Sequence, residues 1–197
     1  MLLEKLKNYN LYLGSQSPRR KQLLEGIGFK FTILPKIQID EGYPKNLPHH
    51  RVAKFLAKKK AIAYQNFLTK NNSILITADT IVSFNKEILG KPKNKEEAIY
   101  FLQQLSDNKH FVYTGVCIKT QDKEINFFDK TEVHFRKFTL EEIHYYIDNY
   151  KPYDKAGSYG AQEWIGYVGI KKIIGSYFNV MGLPIEKLYV ELENIIK

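Results

Sequence analysis

A serine-rich turn followed by two adjacent arginines is the first segment with side chains suited to phosphate. In Ser15–Arg20 (SQSPRR), Ser17 is a typical helix N-cap and Pro18 fits the first helical position. Arg19 and Arg20 therefore fall in the first turn, where cations oppose the helix dipole by up to about 1 kcal/mol each. A docked anion would remove this conflict, because backbone N–H groups, hydroxyls and a guanidinium fork would converge on its oxygens. The alternative is an ordinary capped helix with a solvated basic surface.

A single carboxylate interrupts an apolar run later in the chain. Asp79 lies inside Ile74–Val82 (ILITADTIV), a stretch typical of a buried strand. An unpaired carboxylate is costly to bury. We therefore expect Asp79 to pair with a cation or a metal, or to mark where the strand reaches a cleft. The alternative is a strand end at which Asp79 and Thr80 form a turn.

Three further segments carry weaker signals. Asp40–Glu41 is the only adjacent acidic pair among residues 1–70, where a metal that bridges phosphates would find ligands. Its alternative is a solvated loop. Lys58–Lys60 lies on a predicted helix, so only one of its three lysines would point at a given target. The glycine-rich segment Lys155–Gln162 has the backbone freedom to wrap a ligand, or is a plain loop.

Positive charge is concentrated in the first third of the chain. The sequence carries 30 basic and 21 acidic side chains, a net charge of +9, yet residues 1–70 hold 14 basic and only 4 acidic ones. A uniform basic coat is excluded, and a localised anionic partner is indicated, either a nucleic acid or a small phosphorylated ligand. A nucleic-acid-binding module is the alternative from another class. It predicts affinity that falls steeply with salt, and no hydrolysis.

Strands and helices interleave along the chain, which predicts an α/β fold with a mixed sheet. Hydrophobic patterning predicts strands at 10–14, 29–34, 74–84, 111–119 and 125–135. Helices are predicted at 18–27, at 49–68, after an N-cap at Asn94, at 140–149 behind a Thr139–Glu142 capping box, and from Pro184. Residues 150–182 are predicted to be a loop rich in Gly and Tyr.

Composition excludes several other classes. Cys117 is the only cysteine, which excludes an intrachain disulfide and a four-thiolate zinc site, and we expect it to be a buried small hydrophobe. No stretch approaches the roughly 18 apolar residues of a membrane span. The N-terminus lacks the apolar segment of a signal peptide. A cytoplasmic protein with no membrane association is therefore expected.

Taken in order, these motifs resemble those of the Maf family, the septum-formation-inhibitor-like nucleoside triphosphate pyrophosphatases. The resemblance extends over about residues 11–184. The ordered set is far more specific than any single motif. Its members are Ser15–Arg20, Asp40–Glu41, Lys60–Ala61, Ala78–Thr80, Gly90–Pro92, Thr114–Val116, Lys155–Gln162, Gly175–Tyr177 and Asn179–Pro184.

The resemblance implies metal-dependent hydrolysis of nucleoside triphosphates, with dTTP and UTP favoured, to the nucleoside monophosphate and pyrophosphate. The implied cofactor is a divalent cation, Mg²⁺ or Mn²⁺. The implied architecture is one domain over residues 1–197, with the two-lobed mixed-sheet fold of the inosine triphosphate pyrophosphatases and a central cleft. The expected partner is a small-molecule nucleoside triphosphate, with no stable nucleic acid binding. A homodimer is common in the family.

Site residues follow from their motif positions. Asp79 matches the family's catalytic proton acceptor and, together with Glu41, a carboxylate on the metal side. The positions that set base specificity in the dTTP/UTP branch are matched by Arg20, Thr80 and Gln162. The phosphate-side positions are matched by Ser15, Arg19, Lys60 and Lys91.

The chain departs from the family after Gln162, where Glu163–Trp164 stands in place of the usual glycine. A bulky indole there would stack on a base or narrow its pocket. A pyrophosphatase of modified or purine nucleoside triphosphates is therefore the alternative among enzymes.

Overall fold

The structure is a computed structural model that describes residues 1–196. Its strands are β1 (Asn10–Leu13), β2 (Thr32–Ile33), β3 (Ser73–Phe84), β4 (Glu87–Leu89), β5 (Lys109–Lys119), β6 (Glu124–Phe135) and β7 (Ile170–Ile174). Its α-helices are α1 (Leu2–Leu6), α2 (Pro18–Gly26), α3 (His49–Ala63), α4 (Lys95–Leu105), α5 (Leu140–Tyr150), α6 (Trp164–Gly169), α7 (Tyr177–Met181) and α8 (Ile185–Ile195). Short 3-10 turns lie at Gln65–Phe67 and Ala156–Ser158.

The strands within residues 1–196 form one seven-stranded sheet in the order β2-β1-β3-β5-β6-β7, with β4 paired to β3. Strand β1 runs parallel to both β2 and β3. Strands β4 and β7 run antiparallel to β3 and β6. The sheet is therefore mixed, and the predicted α/β class is confirmed.

The chain forms two compact units. Unit 1 contains residues 1–79, residues 114–129 and the chain from Gly182 onward, and unit 2 contains residues 80–113 and 130–181. The predicted site residues in unit 1 are Ser15, Arg19, Arg20, Glu41, Lys60 and Asp79. Those in unit 2 are Thr80, Lys91 and Gln162.

In unit 1, helix α3 packs unusually close to the sheet. Gly115 of β5 makes this approach possible, because a Cβ there would lie only 2.2 Å from the backbone carbonyl carbon of Ala53 in α3. About one helical turn further along α3, the Ala57 carbonyl oxygen accepts a hydrogen bond from the Thr77 hydroxyl of β3 at 2.7 Å. These contacts fix α3, and with it Lys60, against β3.

In unit 2, helices α4 and α5 begin at the predicted caps. The Asn94 side chain accepts from the Glu97 backbone N–H at 2.9 Å. Thr139 and Glu142 form a reciprocal capping box, with each side chain accepting from the other's backbone N–H. Both helices bury their apolar faces in the core of this unit.

Several predicted boundaries are wrong. The strand predicted at 29–34 is only the two exposed residues of β2, because only Thr32 and Ile33 pair with β1, which ends at Leu13. The helix predicted at 49–68 leaves α-geometry at Tyr64. The loop predicted at 150–182 contains α6, β7 and α7, each too short to show a hydrophobic period. Helix α1 and strand β4 were not predicted.

Two predictions about single residues can also be compared with the structure. Asp79 and Thr80 lie inside β3, so the alternative in which they form a turn is wrong. Cys117 is fully buried, and burial raises the pKa of its thiol to about 12, which confirms its role as a small hydrophobe.

No helix among residues 1–196 combines the length and the apolar character that crossing a membrane requires.

Candidate active site

The centre of the unit 1 site is a lysine that contacts two carboxylates. The Lys60 ammonium donates a hydrogen bond to Asp79 Oδ1 and lies 3.0 Å from Glu41 Oε1. The Lys60 and Asp79 side chains are only 15% and 12% exposed, whereas that of Glu41 is 55% exposed. The predicted pairing of Asp79 with a cation is therefore confirmed, and the cation is Lys60.

Helical spacing separates Lys60 from the two lysines before it. Lys58 lies 2.7 Å from Glu124, and Lys59 lies 2.7 Å from Asp40. Only Lys60 of the three contacts Asp79, as expected when consecutive helical residues point in different directions.

The acidic pair divides in the same way. The Asp40 carboxylate is 81% exposed, and it accepts hydrogen bonds from Lys59 and from the Gly42 backbone N–H. These bonds, the one from Lys59 first, lower the Asp40 pKa. Asp40 therefore stabilises the loop, while Glu41 reaches Lys60 and the candidate site.

Arg20 joins the start of α2 to the chain that precedes α8. Its Nε donates to the Gly182 carbonyl oxygen at 2.8 Å, and its Nη1 donates to Ser15 Oγ at 3.0 Å. Ser15 Oγ also accepts from the Ser17 backbone N–H at 3.2 Å. Ser17 occupies the predicted N-cap position, but its side chain makes no capping hydrogen bond. The turn thus fixes the orientation of the Arg20 guanidinium.

Electrostatics connect Arg20 to the carboxylates. The pKa of Arg20 is lowered to about 10. Burial is the main cause, the charges of Asp79 and Glu41 oppose it, and the charge of Arg19 adds to it. Two arginines and two carboxylates of unit 1 therefore lie within each other's electrostatic reach. Such a mixed arrangement suits a ligand that carries both phosphate oxygens and metal ions.

The donor chemistry of the two carboxylates can be compared with the needs of a divalent metal. Within residues 1–196 no group of three or more His, Cys, Asp or Glu side chains could hold a metal. Mg²⁺, however, is usually bound by one or two carboxylates together with substrate phosphates and water. Glu41 and Asp79 converge on the same Lys60 ammonium, so this pair fits a metal that arrives with a phosphorylated substrate.

In unit 2, the motifs that contain Lys91 and Gln162 are joined through the backbone. The Gly157 N–H donates to the Gly90 carbonyl oxygen at 3.0 Å, beside the exposed Lys91. Gln162 is half-buried, and its Oε1 is a buried acceptor with no hydrogen-bond partner among residues 1–196. Thr80, also half-buried, directly follows Asp79 in β3.

Sequence reasoning missed the contacts that hold the Gln162 segment, and among the residues involved it missed Tyr146. The Lys155 side chain, only 8% exposed, lies 3.0 Å from Glu163 Oε1. The Tyr146 hydroxyl donates to Glu163 Oε2 and accepts from the Gly160 N–H. Nothing in the sequence marks Tyr146 as a partner of residues 14 and 17 positions later. The Trp164 indole packs edge to face on Tyr145, with ring centroids 4.9 Å apart.

Comparison with known proteins gives consistent results. The family described as "Maf-like protein" matches residues 10–195. A Parabacteroides distasonis protein named "dTTP/UTP pyrophosphatase" is 49% identical over 98% of this chain and 100% of its own length. A Bacteroides thetaiotaomicron protein of the same name is 44% identical over the same shares. A Flavobacterium psychrophilum protein, also of that name, is 47% identical over 98% of both chains.

Among solved structures, the chain is similar to the Staphylococcus aureus Ham1 protein. The TM-score is 0.55 over 94% of this chain and 99% of the other, at 14% sequence identity. At that identity the likeness concerns the fold alone, and it agrees with the mixed-sheet α/β architecture.

Proposed function

Because this chain belongs to the Maf-like protein family, we propose that it hydrolyses nucleoside triphosphates, dTTP and UTP above all, to the nucleoside monophosphate and pyrophosphate. Near full-length relatives named "dTTP/UTP pyrophosphatase" support the substrate class. The single observation that carries the proposal is the nearly buried Asp79 carboxylate, which is paired with Lys60 within electrostatic reach of Arg20.

The reaction needs water to attack the α-phosphorus. A new P–O bond forms to the water oxygen, the bond from the α-phosphorus to the bridging oxygen breaks, and pyrophosphate leaves. Asp79 accepts the proton that the water gives up. Lys60 orients the Asp79 carboxylate through its hydrogen bond.

The basic residues bind the triphosphate. Arg19, Arg20, Lys60 and Lys91 neutralise the charge that builds up as pyrophosphate leaves. The hydroxyl of Ser15, which accepts from Arg20, holds the guanidinium in one orientation. The N–H donors of a guanidinium held in this way match the spacing of two phosphate oxygens better than a mobile lysine ammonium does.

Glu41 and Asp79 are the residues that would hold Mg²⁺ or Mn²⁺. When bound, the ion supplies positive charge next to the phosphates.

The choice of base is set by Arg20, Thr80 and Gln162. Of the three, Gln162 offers a hydrogen-bond acceptor that can distinguish one pyrimidine from another. Thymine and uracil both carry an N3–H donor next to the O4 acceptor, whereas cytosine has an acceptor at N3. The buried Oε1 of Gln162 has no partner among residues 1–196 and suits that N3–H donor. A buried acceptor of this kind rejects a base that offers no proton.

A panel of canonical and modified triphosphates, assayed with Mg²⁺, with Mn²⁺ and with EDTA, tests the proposal. We expect dTTP and UTP to give equal amounts of monophosphate and pyrophosphate, and EDTA to abolish the reaction. Release of inorganic phosphate together with the nucleoside diphosphate would contradict the mechanism. Preference for a purine or modified nucleotide would favour the alternative substrate. Salt-sensitive binding of nucleic acid without hydrolysis would favour a binding module.

We also expect a homodimer, no stable nucleic acid complex and a cytoplasmic location. Light scattering of the purified protein tests the dimer, and fluorescence of a tagged chain tests the location.

A further inference from the structure

The segment that carries Gln162 is closed by one phenol and one ion pair of unit 2. Gly160 and Glu163 are the ends of a four-residue turn, in which the Glu163 N–H donates to the Gly160 carbonyl oxygen at 3.1 Å. The Tyr146 hydroxyl bridges the same two residues, accepting from the Gly160 N–H at 3.0 Å and donating to Glu163 Oε2. Lys155 holds the other Glu163 oxygen at 3.0 Å. We call Tyr146, Lys155, Gly160 and Glu163 the turn clasp.

The turn clasp is built from groups that are expensive to bury. Tyr146 is fully buried, and the side chains of Lys155 and Glu163 are 8% and 19% exposed. Burial, and then the hydrogen bond to Glu163, raise the pKa of the Tyr146 hydroxyl, so it remains a donor at any physiological pH. A buried ion pair adds little stability compared with apolar packing, and its best-attested value is to specify one geometry.

Shape reinforces that geometry. Gly160 has no Cβ, and one placed there would lie 2.8 Å from Glu163 Cδ. The Glu163 side chain therefore folds back over its own turn, and a side chain at position 160 would force the Glu163 carboxylate to shift.

Gln162 is the third residue of this turn, between the two positions that Tyr146 holds. Its backbone is set by the turn clasp, whereas its Oε1 is left buried without a partner among residues 1–196. A Gln162 amide that accepts a hydrogen bond from the N3–H of the base must be held in one orientation, because a hydrogen bond weakens steeply as its angle departs from linear.

We propose that Tyr146 and Glu163 are positioning residues that hold the Gln162 amide in the orientation that accepts a hydrogen bond from a pyrimidine N3–H. In this way they set the discrimination between thymine or uracil and cytosine. This inference rests on the proposed function. It assigns the discrimination to a pair of residues that contact each other and the turn, not the substrate.

The test compares Tyr146→Phe and Glu163→Gln with Tyr145→Phe, which removes a phenol hydroxyl from the neighbouring residue outside the turn clasp. KM and kcat are measured for dTTP and dCTP. We expect Tyr146→Phe to raise KM for dTTP by about tenfold, because the Gln162 hydrogen bond to the base N3–H is lost, with little change for dCTP. Glu163→Gln keeps an acceptor for Tyr146 but loses the charge facing Lys155, so its effect should be smaller. Tyr145→Phe should match wild type.

A double-mutant cycle with Gln162→Ala shows whether Tyr146 acts through Gln162. Once Gln162 is removed, we expect Tyr146→Phe to have no further effect on the dTTP to dCTP ratio. A Tyr146→Phe variant that loses thermal stability but keeps the wild-type ratio would overturn the inference. So would additive effects in the cycle.

Calorimetric binding of thymidine and deoxycytidine 5′-monophosphates separates this inference from the proposed function. Wild type without hydrolysis, but with thymidine selectivity that Tyr146→Phe removes, would refute only the proposed function. An active wild type whose base selectivity survives in Tyr146→Phe would refute only the inference.

Discussion

Replacing Gly115 by alanine tests how the packing of α3 supports the site. The added Cβ would lie 2.2 Å from the Ala53 carbonyl carbon and 2.3 Å from the Lys54 nitrogen. Ordinary contacts begin at 3.4 Å, so α3 must move by about 1.2 Å. The obstacle is helix backbone and cannot be relieved by a side-chain rotation. Lys60 lies two turns after Ala53 on the same helical face, so it moves with that backbone.

The size of the effect follows from this displacement. Overpacking a core costs about 1–3 kcal/mol, and a collision with backbone belongs at the upper end. For a chain of this size, about 3 kcal/mol corresponds to a fall in Tm of about 6–12 °C. A displacement of about 1 Å in a catalytic arrangement can reduce turnover by about 100-fold. We therefore expect Gly115→Ala to lose both stability and activity, the latter even where it is fully folded.

Thermal unfolding and pyrophosphate release from dTTP, both measured below the Tm of the variant, are the assays. Gly26→Ala is the matched control, because a Cβ at that position in α2 meets no atom within 4 Å. The control should be neutral, or more stable by about 0.5–1 kcal/mol. A Gly115→Ala protein with wild-type Tm and turnover would refute the idea that close packing of α3 positions Lys60.

Replacing Arg20 by lysine keeps the charge, but one ammonium cannot reach both Ser15 and Gly182 as the guanidinium does. We expect a loss of about 1.5–3 kcal/mol of stability and at least about a tenfold lower kcat/KM. Unchanged kinetics would argue against bidentate phosphate binding by Arg20. The His110 ring forms a hydrogen bond of 2.7 Å with the Tyr159 hydroxyl. Burial, with a smaller contribution from the charge of His134, lowers the pKa of His110 to about 3. Between pH 6.5 and that value the unfolded chain binds a proton that the folded chain does not, so this group makes stability fall as the pH falls. The loss reaches about 3 kcal/mol at about pH 4.5, and denaturant titrations should find a shallower pH dependence in His110→Gln; an identical slope would contradict it.

Local signals explain what the sequence predicted correctly. Asn94 and Thr139 determine helix starts through bonds to residues three positions later, so the caps can be read without knowing the fold. The run around Asp79 reads as a buried strand because β3 is buried along nearly all its length. These features depend on neighbours in sequence.

Features that depend on distant partners were missed. Strand β7 is a strand because it pairs with β6, from Glu132 to Phe135, and its five residues have no period of their own. The Arg20 contact with Gly182 joins residues 162 positions apart. Helical spacing indicated that one lysine of three would reach a given target, but the packing of α3 on β5 selected Lys60 for Asp79.

The central claim is that the Asp79 carboxylate drives hydrolysis, and Asp79→Asn tests it most directly. The amide oxygen can still accept from Lys60, so the variant should fold. The control is Asp40→Asn, which alters an exposed carboxylate in the same region that contacts Lys59 instead. Single-turnover release of pyrophosphate from dTTP should fall by about 10²–10⁴-fold in Asp79→Asn and stay near wild type in Asp40→Asn. Near-normal release by a folded Asp79→Asn protein would contradict the account.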